Sequence, residues 1–384
     1  MSTPYMFQIP TQIIYGRDSI QQLGEVSRKL GITKVQVITD PGVAGSGVLE
    51  KICEQLNKSR IPSVVFDQVE VNPTVQTADK AAQQYKDEAC DGVIALGGGS
   101  PLDAGKAVGV LATNQGAATD YLGIDKVKIP SAPVIAIPTT AGTAAEITDV
   151  TVLLDPDRRA KIGLRSAYVA PRVALLDPVL TLGLPPVPTR DSGLDALTHA
   201  IESFICINAW AASDVLVLRA IELIGSYLRR AVYNGKDIEA RDGMLTASLL
   251  AGMAFHNTKL TLVHAITGPL GGAFNLPHGA INAIILPHAM EFMLPGAVDK
   301  YAQIAVALGE NVDGLSKRQA AEKAVTAVKQ LSADVGLPSG LSYYGVTEED
   351  ILPLVNTIAG SFMVPLAPRI ANAEDVLSVC KASL

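Results

Sequence analysis

A carboxylate and an imidazole lie one helical turn apart near the middle of the chain. Asp195 and His199 stand at positions i and i+4 of a segment with helical periodicity, so their side chains leave the same face of the helix. Taken alone, the pair is more simply explained as an acidic first turn followed by a polar helix histidine. Two observations favour a divalent-cation site instead. The residues before position 190 are typical of a nucleotide-binding α/β half, and the other four histidines of the chain cluster downstream, at His256, His264, His278 and His288.

The candidate metal set comprises one carboxylate and three imidazoles: Asp195, His199, His264 and His278. Such a set suits Fe²⁺ or Zn²⁺ better than the other divalent first-row metals. The third member is expected on a helix over 260–266, and the fourth in a chain break over 275–279. This spacing does not match a short metal-binding motif such as HExxH, which would be more specific. The two remaining downstream histidines, His256 and His288, are expected to be core or helix-end residues.

A glycine-rich loop joins a predicted strand to a predicted helix. Residues 91–96 form an apolar run typical of a buried strand, and Gly97-Gly98-Gly99-Ser100-Pro101 follows at once, with Pro101 suited to the first helical position. Glycines let backbone N–H groups approach a pyrophosphate, and a helix N-terminus favours its negative charge. A tight strand-to-helix turn would need the same glycines. The loop is not a GxGxxG fingerprint, but three adjacent glycines and a serine at a strand end favour phosphate binding.

Hydroxyl and acidic residues follow two other predicted strands. The strand over 133–138 ends in Thr139-Thr140-Ala141-Gly142-Thr143, whose hydroxyls can donate to phosphate or ribose oxygens, although such runs are as common in plain loops. Asp40 ends the predicted strand over 34–40, where an acidic residue would hydrogen-bond a ribose diol and repel a 2′-phosphate. The sequence therefore predicts NAD(H) rather than NADP(H) as the cofactor.

Strands and helices alternate through the first half of the chain. Apolar runs at 34–40, 63–67, 91–96 and 133–138 are separated by helical segments, and this alternation predicts a mostly parallel, doubly wound sheet. An extended segment is expected to open the chain, at 7–15. A further strand pair is expected at 151–154 and 173–177, with Lys161 between the two strands.

The character of the sequence changes after a proline-rich loop at 182–188. Helical periodicity dominates from there on, in segments at 191–206, 209–231, 238–256, 260–268, 296–308, 315–335 and 348–360. Long helices without strand alternation indicate an all-α domain. The expected organisation is an α/β domain over 1–183 and a helical domain over 184–384.

Composition narrows the class of protein and its partners. The 384 residues are 48% hydrophobic and 18% charged, as in a well-packed enzyme, with a net charge of −7 and no basic patch. Nucleic acid and membranes are therefore not expected as partners. Residues 1–6 show no targeting signal, and no apolar run reaches about 18 residues. The scattered cysteines are typical of reduced thiols in a cytoplasmic protein: Cys53, Cys90, Cys206 and Cys380.

Four segments, in the right order, resemble motifs of the iron-dependent (group III) alcohol dehydrogenases, closest to the lactaldehyde reductase (1,2-propanediol oxidoreductase) branch. They are GGGSPLDAGK (97–106), PTTAGTAAE (138–146), GLDALTHAIE (193–202) and LPHGAINAIILPH (276–288). The resemblance covers the chain from about residue 5 to its end. It implies an N-terminal dinucleotide-binding α/β domain and a C-terminal helical domain, in the architecture that is also seen in dehydroquinate synthase.

The resemblance also implies ligands and cofactor contacts. Matched by motif, the family's metal ligands are the four residues of the candidate metal set. Its nicotinamide cofactor contacts map onto Asp40, Asn72, Gly98, Gly99, Ser100, Asp103, Thr139, Thr140, Thr143, Lys161 and Leu180. Family members are often homodimers, joined partly through the N-terminal strand, so a homodimer or larger homo-oligomer is expected.

Three positions depart from the family pattern. The family usually carries a proton-relay histidine three residues after the third metal ligand, where this chain has Thr267. Val150 stands where an asparagine is common, and His256 stands where the family often has asparagine. The metal set is intact, so the residues expected to act in catalysis are His264 and His278, with Thr267 and His256 as alternatives for the proton path.

The expected activity is interconversion of a primary alcohol or short diol and its aldehyde by hydride transfer with NAD(H) and one metal ion, Fe²⁺ before Zn²⁺. Glycerol dehydrogenase and maleylacetate reductase share the scaffold and are the nearest alternatives. A dehydroquinate-synthase-like lyase would use NAD only transiently, and a non-enzymatic nucleotide-binding oligomer would bind no metal. The sequence leaves open which alcohol or aldehyde is used.

Overall fold

A computed structural model describes residues 5–384. Residues 1–4, which belong to the 1–6 segment expected to carry no targeting signal, lie outside the described part. Contacts divide the chain into two compact units, Ile9–Leu184 and Pro185–Leu384. The described residues up to Gln8 group with the second unit. The backbone N–H of Gln8 donates to Asn257 Oδ1 at 2.8 Å, and the ring of Tyr5 stacks on Trp210 with centroids 5.3 Å apart.

The unit Ile9–Leu184 is an α/β domain. Its strands, within the described residues, are β1 Gln12–Tyr15, β2 Val35–Ile38, β3 Ser63–Phe66, β4 Gly92–Gly97, β5 Gly123–Ile124, β6 Val134–Pro138, β7 Val150–Asp155, β8 Ala160–Arg165 and β9 Val173–Leu176. Its helices are α1 Leu23–Lys29, α2 Pro41–Ala44, α3 Val48–Lys58, α4 Val75–Asp87, α5 Gly99–Thr113 and α6 Ala118–Tyr121. In this part of the chain the main sheet has six strands in the order β1-β9-β6-β4-β2-β3, and every pair in it is parallel.

Helices cover both faces of this sheet. Alternate residues of β4 enter two separate apolar clusters, Val93 and Ala95 on one face and Ile94 and Leu96 on the other. The first cluster includes residues of α4 and α5, and the second includes residues of α1 and α3. A strand buried on both faces carries a continuous apolar run, and so the run at 91–96 predicts β4 correctly. The expected doubly wound parallel sheet is confirmed.

Two strands that were expected to pair lie in different sheets. β7 pairs antiparallel with β8 in a separate sheet of order β5-β8-β7, while β9 lies between β1 and β6 in the main sheet. The expectation of a pair between 151–154 and 173–177 is therefore wrong. An apolar run shows that a strand exists, but it does not say which strand will be its neighbour. Lys161 lies in β8, which the sequence pattern did not predict.

In the described residues of the unit that contains Pro185–Leu384, all regular secondary structure is helical. The helices are α7 Pro186–Ile205, α8 Ala211–Tyr233, α9 Ile238–Thr258, α10 Leu262–Phe274, α11 His278–Met293, α12 Val298–Ala307, α13 Lys317–Asp334, α14 Glu348–Ile351, α15 Val355–Ala359 and α16 Ala373–Ala382. Among the described residues, no helix has the length and apolar character needed to cross a membrane.

Two helix boundaries differ from expectation at functionally important places. α7 begins at Pro186, five residues early, because proline at the first helical position lacks only an N–H that would have no partner inside the helix. The chain breaks at Asn275, whose φ is 51°, but His278 is the first residue of α11 rather than part of the break. The periodicity does not predict α11 because its buried residues are apolar on all sides and it contains Pro287.

Candidate functional site

Helix α7 carries the first two residues of the candidate metal set. Asp195 and His199 are both buried, and His199 Nε2 lies 3.9 Å from Asp195 Oδ1. Every residue of α7 from Gly193 to Ile205 is buried, so the helix runs through the interior of its unit. The two side chains therefore leave one face of α7, as their spacing predicts.

Two further helices bring their histidines to this place. The rings of His199 and His264 stack with centroids 4.8 Å apart, and His264 meets His278 edge to face at 5.3 Å. One ligating atom from each of Asp195, His199 and His264 lies within 4.8 Å of the others. Residues separated by as many as 83 positions in the sequence, from 195 to 278, are thus neighbours.

The amide of Asn282, one turn after His278 on α11, lies among these donors. Its Nδ2 is 2.7 Å from Asp195 Oδ1 and 3.1 Å from Nε2 of both His264 and His278. An amide nitrogen carries two hydrogens, so it cannot satisfy all three of these neighbours at once. Asn282 Oδ1 is itself buried without a partner in the described chain. A divalent cation held by the carboxylate and the imidazoles would relieve this mismatch, so the residues present fit a metal.

Glu202 orients one of the imidazoles. This carboxylate, fully buried three residues after His199 on α7, accepts hydrogen bonds from Thr261 Oγ1 at 2.6 Å, from the backbone N–H of Val263 at 2.8 Å and from His264 Nδ1 at 2.5 Å. Because a carboxylate only accepts, the proton of His264 is on Nδ1 and its Nε2 lone pair faces Asp195 and Asn282. Sequence reasoning did not assign Glu202. The signal available was a Glu one turn beyond the Asp-x-x-x-His pair.

The charge of Asp195 is maintained in spite of its burial. Burial alone would raise the pKa of Asp195, but His199, His278 and His264, together with the Asn282 hydrogen bond, hold the pKa below its usual range. The site therefore offers one carboxylate that stays anionic, next to three imidazoles. This charge suits a divalent cation.

In the α/β unit, the candidate cofactor residues lie at one edge of the main sheet. Asp40 follows β2, Gly97 ends β4 and Thr139 follows β6, and these three strands are neighbours in the order β6-β4-β2. The carboxyl ends of parallel strands meet at one edge, where nucleotides bind in open α/β sheets. Asp40 Oδ1 also accepts from the backbone N–H of Val43 at 2.9 Å and so caps α2.

The glycine loop and the threonine loop pack against each other. Gly97 has a φ of 143°, and a Cβ placed on Gly98 or Gly99 would lie 3.2 Å from Thr140 Cγ2 or 2.9 Å from Thr143 Cγ2. Side chains at these positions would therefore push the two loops apart. α5 begins at Gly99, so Pro101 is its third residue and not its first as expected. The free N–H groups of the first turn of α5 are those that an anion would bind.

The other candidate cofactor residues are spread more widely. Asn72 adopts a left-handed conformation with a φ of 59°, and its backbone N–H donates to Ser100 Oγ at 3.3 Å, so these two are brought together. The carboxylate of Asp103 is engaged inside the unit, since Oδ2 accepts from the Val152 N–H at 3.1 Å. Leu180 is buried in the apolar cluster on one sheet face.

Two models of one protein family match this chain. Residues 10–178 match the model of the iron-containing alcohol dehydrogenases, and residues 189–384 match the model of the C-terminal part of the same family. The chain belongs to the iron-containing alcohol dehydrogenase family.

Relatives of this alcohol dehydrogenase are similar along their whole length. It is 36% identical to the NAD-dependent methanol dehydrogenase of Bacillus methanolicus, over 98% of this chain and 99% of the relative. It is 41% identical to the 1,3-propanediol dehydrogenase of Citrobacter freundii, over 97% of each chain. The crystal structure of a 1,3-propanediol oxidoreductase superposes with a TM-score of 0.96 at 37% identity, covering 100% of both chains. The family resemblance and the expected fold are confirmed, and the protein is an enzyme that interconverts alcohols and aldehydes.

Two positions distinguish this alcohol dehydrogenase near its candidate metal set. Thr267, one turn after His264 on α10, is fully buried, and its Oγ1 has no hydrogen-bond partner among residues 5–384. His256 lies near the end of α9, next to Phe255, whose ring stacks on His199 with centroids 4.5 Å apart.

The fifth histidine, His288, lies outside the candidate metal set. It is farther along α11, where its Nδ1 is 3.9 Å from Glu291 and burial lowers its pKa.

Proposed function

We propose that this alcohol dehydrogenase interconverts a short primary alcohol or diol and its aldehyde with NAD(H) and one divalent metal ion, Fe²⁺ before Zn²⁺. The convergence of metal-ligating side chains carries the proposal: one ligating atom from each of Asp195, His199 and His264 lies within 4.8 Å of the others, and His278 lies beside His264. The names of the relatives add support: one is NAD-dependent and acts on methanol, and another acts on 1,3-propanediol.

The proposed ligands would be Asp195, His199, His264 and His278. A divalent cation there would supply Lewis acidity that lowers the pKa of an alcohol hydroxyl toward neutrality. Glu202 keeps the Nε2 lone pair of His264 directed at the set by holding the proton on Nδ1. Asp195, His199 and His264 are buried, and their low exposure to water strengthens the electrostatic interactions of these donors.

The nicotinamide cofactor would bind in the α/β unit. Its oxidised form would accept a hydride from the carbinol carbon of the alcohol, and its reduced form would return one to the carbonyl carbon of the aldehyde. The N–H groups at the start of α5 would hold the pyrophosphate, and Asp40 would accept from a ribose diol. Asn72, Ser100, Thr139, Thr140, Thr143, Asp103, Lys161 and Leu180 complete the proposed contact set. Asp103 and Leu180 would contribute through the backbone or through their packing, since their side chains are engaged inside the unit.

The proton of the alcohol needs a path that does not use the usual family histidine. Thr267 has a buried hydroxyl without a partner in the described chain, and His256 adjoins the Phe255 ring that stacks on His199. We propose Thr267, a ribose hydroxyl or water as the carrier, with His256 as a substitute relay. A changed pH–rate profile in Thr267→Val or His256→Ala would identify the group, and unchanged profiles in both would leave water or the ribose.

Metal analysis joined to cofactor-linked assays tests the proposed function. Anaerobically purified protein is expected to contain about one metal ion per chain and to reduce NAD⁺ with short diols or linear alcohols. Zinc and a preference for glycerol would indicate a glycerol-dehydrogenase-like enzyme. Turnover without metal would favour a maleylacetate-reductase-like enzyme, and metal without net NADH formation from any alcohol would favour the lyase. Absence of both metal and turnover would contradict the proposal.

Removing the carboxylate of Asp40 should relax the choice of cofactor. In Asp40→Gly, the ratio of kcat/KM for NADP⁺ to that for NAD⁺ is expected to rise by about tenfold or more, because a negative charge no longer faces the 2′-phosphate. Asp40→Ser is the matched control for the structural role, since serine can still cap α2 through the Val43 N–H. Both variants should shift the ratio. An unchanged ratio in both, or a wild-type enzyme that prefers NADP⁺, would show that Asp40 does not select the cofactor.

We further propose a homodimer or larger homo-oligomer in the cytoplasm. Within the described residues β1 is an edge strand of the main sheet, and an edge strand is a place where a second copy can add. The free cysteines, three of them buried, are consistent with a reducing compartment. Light scattering on the purified enzyme tests the assembly, and a monomer at micromolar concentration would exclude it.

A further inference from the structure

The glycine motif of α5 ends in a lysine that the proposed function does not use. A lysine in a glycine-rich loop can reach a phosphate when its ammonium is accessible. Lys106 is 0% exposed, so its ammonium cannot touch a bound dinucleotide in this arrangement. The charge of this side chain must instead be satisfied inside the α/β unit.

The contacts of Lys106 join α5 to the segment that precedes β7. Its Nζ donates to the carbonyl of Ala145 at 2.9 Å, to Thr148 Oγ1 at 3.3 Å and to the carbonyl of Val150, and it lies 3.0 Å from Asp103 Oδ1. Three of these four acceptors belong to residues 145–150. One cation therefore fixes both ends of that segment to the helix.

The segment that Lys106 holds continues directly from the threonine loop. The N–H of Ala145 donates to Thr143 Oγ1 at 3.3 Å, and Thr143 lies against Gly99 at the start of α5. Thr139 donates its N–H to the carbonyl of Gly97 at 2.9 Å. The threonine loop is thus tied to the glycine loop at one end and to Lys106 at the other.

A second buried charge lies in the same segment. Glu146 is almost completely buried, and burial raises its pKa to about 7, while the charge of Lys106 acts in the opposite direction. Lys106 is therefore the cation that Glu146 and Asp103 both face in this part of the unit. Loss of its charge would leave two carboxylates and two backbone carbonyls less well satisfied.

We propose that Lys106 is a positioning residue for the cofactor: it holds residues 145–150 against α5 and thereby sets Thr139–Thr143 opposite Gly98 and Gly99, where the dinucleotide binds. The inference rests on the proposed function in one respect, that these loops bind NAD(H). Lys106 itself makes no contact with the cofactor.

Titration of NADH fluorescence with Lys106→Met enzyme tests the inference. Methionine preserves much of the side-chain volume but removes the donors, so the Kd for NADH is expected to rise about tenfold or more, and the KM for NAD⁺ should rise with it. The metal content and the KM for the alcohol should stay within about twofold of wild type. This split distinguishes a cofactor-positioning role from general loss of structure.

Asn114→Ala supplies the matched control at the other end of α5. Asn114 is buried, and its amide donates to the carbonyls of Val110 and Ile129 and accepts from the Ile129 N–H, so its loss also removes a buried polar network. It should lower Tm without changing the Kd for NADH. An equal rise in Kd in Asn114→Ala would show that the effect of Lys106 is only destabilisation.

Two results separate this inference from the proposed function. A wild-type enzyme that binds no NADH would refute the proposed cofactor site itself. A wild-type enzyme that binds NADH, beside a folded Lys106→Met variant with the same Kd, would overturn the role of Lys106 alone. If the methionine variant does not fold, Lys106→Gln keeps a shorter, uncharged donor. A rise in Kd of about threefold is then expected, and an unchanged Kd would overturn the inference.

Discussion

Asp195→Asn enzyme is expected to lose its metal ion and at least about a thousandfold in kcat/KM, because the substitution removes the anionic donor of the set. The change is nearly isosteric, so α7 should fold as before. Nothing then neutralises a divalent cation among the three imidazoles, of which His199 and His264 are buried. Elemental analysis and steady-state kinetics on the same preparation measure the two losses together.

The control for this variant is His288→Ala. His288 lies on α11 with His278 but outside the metal set, next to Glu291, so its loss should leave metal content and turnover near wild type. Thermal unfolding gives a second readout: added Fe²⁺ or Zn²⁺ at about 100 times Kd should stabilise metal-free wild type by about 2.7 kcal/mol and leave Asp195→Asn unchanged. Full turnover by metal-free wild-type enzyme would refute the metal role.

Glu202→Gln should weaken metal binding by about 10- to 100-fold although Glu202 is not itself a proposed ligand. In the wild type the carboxylate accepts from His264 Nδ1, from Thr261 Oγ1 and from the Val263 N–H. A glutamine has one accepting oxygen, and its NH₂ group would oppose these donors. The ring of His264 would then lose the hydrogen bond that keeps its Nε2 lone pair directed at the metal. Competition with a chelator measures the Kd of the metal.

Two further variants show whether the effect acts through His264. Glu222→Gln makes the same change on α8, where the side chain is exposed and pairs with Arg219, and it should leave the metal Kd unchanged. Thr261→Val removes one donor to Glu202 but none from His264, so it should cost about 1 kcal/mol of stability and change the metal Kd by less than about threefold. A wild-type metal Kd in folded Glu202→Gln would contradict the positioning role.

Local sequence was sufficient for many of the elements and for placing two residues of the candidate metal set on one helix face. Asp195 and His199 are four residues apart, and an α-helix places such residues on one face whatever surrounds it. The apolar run 91–96 followed by three glycines likewise predicts β4, a tight loop and the start of α5, as observed. These features depend on backbone geometry over a few residues.

The sequence pattern was less informative where helices are buried on every side. α11 carries apolar residues all round and a proline inside, so it shows no periodicity that would set it apart. The sequence consequently predicts a chain break at 275–279, where α11 in fact begins at His278. β8 was missed for a related reason: its residues are only partly buried, and its alternation is weak.

By itself, then, the sequence determined the parallel α/β half, the helical half, the Asp195–His199 pair and, through its four ordered motifs, the family. Tertiary structure alone decided that β9 lies between β1 and β6, that Glu202 holds His264, that Asn282 lies among the donors and that Lys106 is buried against residues 145–150. The physical reason is distance along the chain. A helix or strand fixes the relation of residues a few positions apart, whereas Asn282 and Asp195 meet only because the packing of α7 against α11 places them together.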